Sequence, residues 1–266
     1  MKKLTFLLSA FMGIILFACG GGGGGGGGGG TDDGGAKTIY SPDYLSKDMN
    51  KTYTFTETEV FTIRGQKGSQ TSTIVYSYAP NPIDTIPSQY GYSGAIAGPY
   101  SIELLTVDGT PRTVTYKSPT GYAIISDNFS TFTSIEPVHT SLSSNIPSDW
   151  TVGEEYSQSS AEDLLNSDQD QGTFGEKLGS KTLEYTIKVL GVESVTVAAG
   201  TYQAIKTLES STSTFTLNNQ TKTSATTATS WYGKGTGLVK SVANSTTVYT
   251  DGTVTSTVTD ELTSIR

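Results

Sequence analysis

The chain has one cysteine in 266 residues, so no disulfide can form within it and stability must come from strand pairing and packing. It has one histidine, His139, too few for a histidine-based metal site. A Ser-His-Asp arrangement would have to use His139, yet the chain contains no Gly-x-Ser-x-Gly elbow and no Ser-x-x-Lys pair. Gly233-x-Gly235-x-Gly237 is not a dinucleotide fingerprint, because its third glycine comes one residue early and no strand–helix unit surrounds it. There is no phosphate loop. Basic residues are also scarce, 17 against 25 acidic ones, for a net charge of −8. That balance excludes the electrostatic footprint of a nucleic-acid binder and of a polybasic surface docking on anionic lipid. No catalytic residue, cofactor, resident metal or nucleic-acid partner is expected.

What is abundant is Thr, Ser, Gly and Tyr, with few Leu, Met and Ala. Such a composition favours strands and turns over helices, since β-branched and aromatic side chains fit a pleated surface. The fold class expected is all-β, an antiparallel meander of long strands curled into a barrel-like or half-barrel sheet, either as one sheet or as two related lobes.

The first residues differ from the rest. Met1-Lys2-Lys3 is a short positive segment, and Leu4 to Ala18 is an apolar run broken only by Thr5, Ser9 and Gly13. At 15 residues it is shorter than the roughly 20 needed to cross a bilayer as a helix, and it suits the core of a secretory signal. It ends in Leu16-Phe17-Ala18-Cys19-Gly20, which resembles the lipobox of bacterial lipoproteins. The resemblance implies cleavage between Ala18 and Cys19 and lipidation of the Cys19 thiol. Phe17 is bulkier than that family usually has. Without Lys2 and Lys3 the mature chain would hold 15 basic against 25 acidic side chains. Two or more acyl chains anchor firmly where one binds reversibly, at about 0.8 kcal/mol per buried methylene. The membrane is therefore the expected partner, through the lipid anchor. In such lipoproteins an Asp after the cysteine retains the protein at the inner membrane. Gly20 stands there, which by that resemblance points to the outer membrane and leaves the leaflet open.

Gly20 to Gly30 is an uninterrupted glycine run, continued by Thr31-Asp32-Asp33-Gly34-Gly35-Ala36. It can bury no apolar surface, and glycine loses the most entropy on ordering. The domain layout expected is a signal peptide over 1–18, a lipidated cysteine and disordered tether over 19–38, and a β-rich domain over 39–266 with a subdivision near 145–150. A glycine coil of this length spans roughly 20–25 Å. It serves either as a spacer or as a drifting repeat in a tolerant linker.

From Ile39 on, short alternating runs separated by turn residues predict strands. They fall at Thr52–Thr56, Thr71–Tyr78, Tyr100–Val107, Arg112–Lys117, Tyr122–Ser126 and Phe129–Ile135. Gly65-Gln66-Lys67-Gly68 reads as a turn, Asp108-Gly109 as a hairpin turn, Asn81 to Gly98 as a long loop, and Ser144 to Ser148 as a break. Ser160 to Leu165 reads as one or two turns of helix with Ser160 as the N-cap. Long strands follow over Lys181–Val197, Thr201–Leu217, Thr221–Tyr232, Thr236–Thr250 and Thr253–Ile265, with Gly191 at a bend and Asp251-Gly252 as a type I′ turn. Asn50-Lys51-Thr52-Tyr53 and Asp149-Trp150-Thr151-Val152-Gly153 each open a run of strands, a faint internal echo.

Three segments carry a family resemblance. Val195-Thr196-Val197-Ala198-Ala199-Gly200-Thr201-Tyr202 resembles a segment of uncharacterised bacterial β-rich lipoproteins and periplasmic proteins, in which a proline stands at the place of Ala198. Trp231-Tyr232-Gly233-Lys234-Gly235-Thr236-Gly237-Leu238-Val239-Lys240 resembles a second signature of the group, with Thr236 in the place of its usual valine. Trp150-Thr151-Val152-Gly153-Glu154 fits an opening segment. The resemblance covers roughly 145–245 and implies a β-rich fold and an envelope location only. The residues themselves have a structural reading: chain reversal at Ala199-Gly200, and a turn or bulge at Gly235 and Gly237 with Trp231 and Leu238 packed across it.

Weaker chemistry is legible elsewhere. Asn166, Asp168, Asp170 and Gly172 are spaced a little like a calcium loop, but the glycine is one place late and Lys177 stands where the bidentate acid belongs. Glu154-Glu155 and Glu162-Asp163 are acid pairs no different from surface charge. The 15 tyrosines and two tryptophans are explained by core filling or by an outward glycan-binding patch. Three functions stay open: a non-enzymatic envelope lipoprotein with a binding or structural role, a carrier of a lipid or other hydrophobic ligand inside the curled sheet, and a surface adhesin or glycan-binding module. The partner would be a protein, a glycan or an apolar ligand.

Overall fold

A computed structural model describes residues 38–40, 42–45, 47–79, 81, 83–84, 99, 101–118, 121–126, 131–137, 149–165, 177–217, 220–249 and 252–266. The expected signal segment, Cys19, the glycine run, His139, the expected break at 144–148 and the calcium-like spacing lie outside the described residues, as does most of the expected 81–98 loop.

The described residues form an all-β protein around one large antiparallel sheet. Its first meander runs through β2 (Tyr53–Ile63), β3 (Gln66–Tyr78), β4 (Ser101–Val107), β5 (Thr110–Ser118), β6 (Gly121–Ser126) and β7 (Thr131–Pro137). Its second runs through β9 (Glu155–Leu165), β10 (Lys177–Val197), β11 (Gly200–Leu217), β12 (Gln220–Gly233), β13 (Gly237–Tyr249) and β14 (Gly252–Ile265). The meanders join where β2 pairs with β14, so one twelve-stranded sheet runs from β7 at one edge to β9 at the other. The two halves suggested by the echo are halves of a single hydrogen-bonded sheet. The short strands β1 (Thr38–Tyr40) and β8 (Asp149–Thr151) leave it to pair with each other.

Alternation explains why these segments are strands. In β2, Tyr53, Phe55, Glu57 and Glu59 turn inward while the intervening threonines face out. On the outer faces, Thr and Ser meet across strands, with Thr186 and Ser210 hydroxyls 2.6 Å apart and Thr196 and Thr201 hydroxyls 2.9 Å apart.

The sheet is open at its edges but curls strongly. The Ala199 amide, in the turn after β10, donates to the Leu262 carbonyl of β14 at 3.2 Å, although β11, β12 and β13 lie between those strands in the sheet. Val197 accordingly packs with Tyr53, Phe55 and Leu262 in one core cluster. Long strands twist, and bulges let them bend onto themselves. β10, 21 residues long, has its register shift between Val189 and Gly191, as the glycine predicts, with Leu190 left exposed. A second cluster of Ile39, Trp150, Ile187, Val189 and Ile205 seats the β1–β8 pair on this strand and its neighbour.

Three local expectations are corrected. Ser160–Leu165 is not a helix but the end of β9, its residues paired from Ser160 with Leu183 to Leu165 with Lys177. The long partner strand supplies a complete ladder, which outweighs the modest helix preference of Ser-Ala-Glu-Asp-Leu-Leu. Helix occurs instead at α1 (Pro42–Leu45), where Ser41-Pro42-Asp43 places Pro in the first turn and an acid beside it. The first hairpin turns at Arg64 and Gly65, with φ of 50° and 78°, and Gln66 to Gly68 already pair with Ile63 to Phe61. Gly252 pairs with Tyr249 and is therefore a residue of β14 and not of a turn, while Asp251 lies outside the described residues. Asp108 and Gly109 do form a turn, with φ of 50° and 75°.

Candidate functional site on the concave face

The inward positions change character along the strands. At the end holding the turn after β10 they are aromatic and aliphatic: Tyr53, Phe55, Ile74, Tyr232, Leu238 and Leu262. α1 lies over this end against β12 and β13, with the Gly235 amide donating to the Asp43 carbonyl at 2.7 Å and Lys234 Nζ 3.3 Å from the Asp43 carboxylate. Further along, the inward positions turn acidic and small. Glu57, Glu59, Glu103, Glu209 and Asp260 are all buried, with Ser230, Ser241 and Thr207 among them. Five buried carboxylates on one face need partners, because burying a lone charge is costly.

Three are tied by neutral donors. Tyr78 Oη donates to Glu103 at 2.7 Å, and Gln70 Nε2 donates to Glu59 at 2.7 Å. Glu209 accepts from Thr207 Oγ1 at 2.8 Å and from Tyr232 Oη at 2.9 Å, and Tyr185 also bonds to it. Burial, then the adjacent Glu209 charge, holds the Tyr232 and Tyr185 hydroxyls well above the usual phenol range.

Glu57 and Asp260 differ. They occupy opposed positions of the β2–β14 pair and so share a face. Burial, then the Asp260 charge, pushes the Glu57 carboxyl up to about 7, and burial pushes Asp260 up to about 6. Such raised values let a carboxyl take either protonation state near neutrality. Ser241 lies opposite Asp260 on the next strand, and its fully buried Oγ has no hydrogen-bond partner. On the other flank of Glu57 stand Phe55 and Tyr76, ring centroids 5.9 Å apart and edge-to-face. The Tyr76 hydroxyl is raised by burial and then by the charges of Glu103, Asp260 and Glu57.

None of these residues stands out by motif. Glu57 and Asp260 come from opposite ends of the chain, and only the β2–β14 pairing unites them. One signal was present: in Tyr53-Thr-Phe55-Thr-Glu57-Thr-Glu59 the acids keep the parity of the aromatics, which puts them on the core face.

The acid pairs singled out by sequence lie elsewhere. Glu154 accepts a bond from Tyr156 Oη at 3.1 Å near the β8–β9 turn, while Glu162 and Asp163 sit on the edge strand opposite Lys181 and Ser180. Among the described residues, no three His, Cys, Asp or Glu side chains converge to hold a metal ion, and no helix is long and apolar enough to cross a membrane. Tyr53, Trp150 and Tyr232 are buried, and no aromatic side chain whose burial is described is exposed. In the resembling segments β12 turns into β13 at Lys234 to Thr236, as expected, whereas β10 turns into β11 at Ala198-Ala199, one residue before the expected Ala199-Gly200, because Gly200 already pairs with Val197.

No family model matches the chain, and no curated protein matches it in sequence. Solved structures similar to it include a candidate lipoprotein from Parabacteroides distasonis ATCC 8503. It is 12% identical, with a TM-score of 0.38 over 83% of this chain and 96% of the other. A candidate exported protein with a YmcC-like fold from Bacteroides fragilis NCTC 9343 is 13% identical, with a TM-score of 0.32 over 84% of this chain and 98% of the other. Scores this low establish neither a shared fold nor a shared function.

Proposed function

We propose that this protein is a non-enzymatic lipoprotein of the bacterial cell envelope, held by acyl chains on Cys19 at the outer membrane, with its curled sheet as a binding module. The observation that carries this is the run from Leu4 to Ala18 ending on the chain's one cysteine, followed at once by glycine. The fold is consistent with the layout: β1, the first element among the described residues, starts at Thr38, close behind the glycine-rich segment in the sequence. Binding rather than reaction is supported by the concave face, where Glu59, Glu103 and Glu209 are immobilised by Gln, Tyr and Thr donors. Carboxyls already held by neighbouring side chains leave this face ordered before any partner arrives, which lowers the cost of binding.

Mass spectrometry of the mature protein should find its first residue to be Cys19 carrying diacylglycerol. Cys19→Ser should move the protein from the membrane to the soluble fraction, and density separation of the two membranes should place the wild type with the outer one. A mature protein with a bare Cys19 thiol would refute the anchor. Turnover of envelope polymers or esters that disappears in Glu57→Gln or Asp260→Asn would refute the non-enzymatic reading.

A further inference from the structure

The large sheet has two edges, and the chain treats them differently. β7 spans seven residues, ends on Pro137 and meets β6 through a register shift between Ile124 and Ile125. Shortness, proline and a bulge each blunt an edge against pairing with another chain. β9 spans eleven residues, contains neither proline nor lysine, and pairs with β10 without a shift from Glu155 to Leu164. Among the described residues its other side meets no strand.

Which backbone groups lie on that side follows from two bonds at the start of β9. The Gly153 amide donates to the Val189 carbonyl at 2.8 Å, and the Val189 amide donates to the Glu154 carbonyl at 3.1 Å. Both polar groups of Val189 therefore point to the β9 side of β10. Along an antiparallel ladder this alternates, so Ile187, Tyr185, Leu183 and Lys181 bond to their partners Tyr156, Gln158, Ser160 and Glu162. The amides and carbonyls of Glu155, Ser157, Ser159, Ala161 and Asp163 are left facing outward. The first four of these residues are also exposed.

We infer that this edge takes the same edge of a second copy, β9 antiparallel to β9 about a two-fold axis at Ser160. Outward-facing residues must oppose one another, so odd-numbered positions meet odd-numbered ones. That rule alone forbids Glu162 opposite Asp163 and Glu155 opposite Glu162. Of the symmetric registers left, an axis at Ser159 opposes Glu155 to Asp163, and an axis at Glu162 opposes that residue to itself. Like charges directly opposed destabilise a pair. An axis at Ala161 separates the acids but shortens the overlap. The axis at Ser160 uses the whole strand, from Glu155 opposite Leu165 to Leu165 opposite Glu155. It sets Glu162 opposite Gln158 and Asp163 opposite Ser157, so no acid meets an acid. The occupant is a second copy because the strand complements itself in the one register that pairs all of it, and a two-fold interface joins identical patches. The ladder of the sheet then runs on unbroken from one molecule into the next.

The test is cross-linking at the axis. Ser160→Cys places two thiols opposite each other at a position without hydrogen bonds between the copies, where a Cα separation of about 4.5 Å suits a disulfide. Oxidation of the purified full mature chain with copper phenanthroline should give this variant a covalent dimer on a non-reducing gel. Ser157→Cys, opposite Asp163, should stay monomeric. The wild type has no cysteine but Cys19, so a cross-link in it reports a bare anchor thiol and keeps failure of the anchor distinct from failure at β9. Ser159→Pro removes an outward amide that β10 does not use. Added to Ser160→Cys, it should abolish the cross-link and retain the Tm. A folded Ser160→Cys chain that stays monomeric, equal cross-linking of Ser157→Cys, or a cross-link that survives Ser159→Pro overturns the proposal. If Ser160→Cys does not fold, sedimentation of the wild type decides: a monomer overturns the proposal, and a dimer that Ser159→Pro dissociates supports it.

Discussion

Glu57 and Asp260 face one another across the β2–β14 pair, one from near the start of the folded chain and one from its last strand. Both are buried, and both carboxyls are raised. A raised acid binds its proton more tightly folded than unfolded, so folding is favoured at low pH and the advantage is lost as pH climbs. For Glu57 the window runs from its ordinary 4.5 to about 7. Thermal melts should therefore show Tm falling as pH rises through that range. Glu57→Gln should flatten the profile and raise Tm above about pH 7. A Tm that climbs with pH through the window would contradict the arrangement.

Glu209 gathers the hydroxyls of Thr207, Tyr232 and Tyr185. Glu209→Ala would leave several buried donors without an acceptor, at about 1–3 kcal/mol each. Tyr232→Phe removes one bond and leaves the carboxylate two others, so it should cost about 1 kcal/mol. Urea denaturation should rank the alanine variant well below the phenylalanine one. Equal losses would mean that the network is not shared in this way.

Trp150, 1% exposed, is the side chain through which the β1–β8 pair docks on the sheet. Trp150→Ala should cost about 3–5 kcal/mol and release the segment before β2 to proteolysis. Its indole nitrogen is buried without a partner, so Trp150→Phe should recover much of that loss by removing an unsatisfied donor. Limited proteolysis and denaturation of both variants check the ranking.

Gly233 closes β12 beneath Tyr202 and Val239. A Cβ there would lie 2.9 Å from Val239 Cγ1 and 3.3 Å from Tyr202 Cβ. Gly233→Ala should destabilise by about 1–3 kcal/mol through overpacking. Gly235→Ala meets open space but has a φ of +67°, so its cost is backbone strain alone, about 1 kcal/mol. Chemical denaturation of the two separates steric crowding from strain within one turn.

Much of the architecture was legible in the residues because it is local. Alternation over Thr52–Thr56 marks β2, and Val195–Val197 before Ala198-Ala199 marks the end of β10, since a strand's period and a turn's chemistry are written in adjacent positions. The bend at Gly191 and the hairpin at Asp108-Gly109 follow for the same reason. Ser160–Leu165 failed because its local preference was weak and a partner strand outbid it.

The amino-acid sequence by itself determined the all-β class, the long meander and the positions of most turns, all of which depend on spacing and on backbone preference within a few residues. The glycine run, and the apolar segment on which the proposed export signal rests, are likewise read in the residues themselves. Only the tertiary structure decided that β2 pairs with β14 and so sets Glu57 against Asp260, that the sheet curls until Ala199 reaches Leu262, and that Lys47 comes to rest over Tyr76. Those contacts join residues far apart in the chain. Nothing local encodes them: they exist because one curled sheet has a single concave face to bury, and its inward side chains must share it.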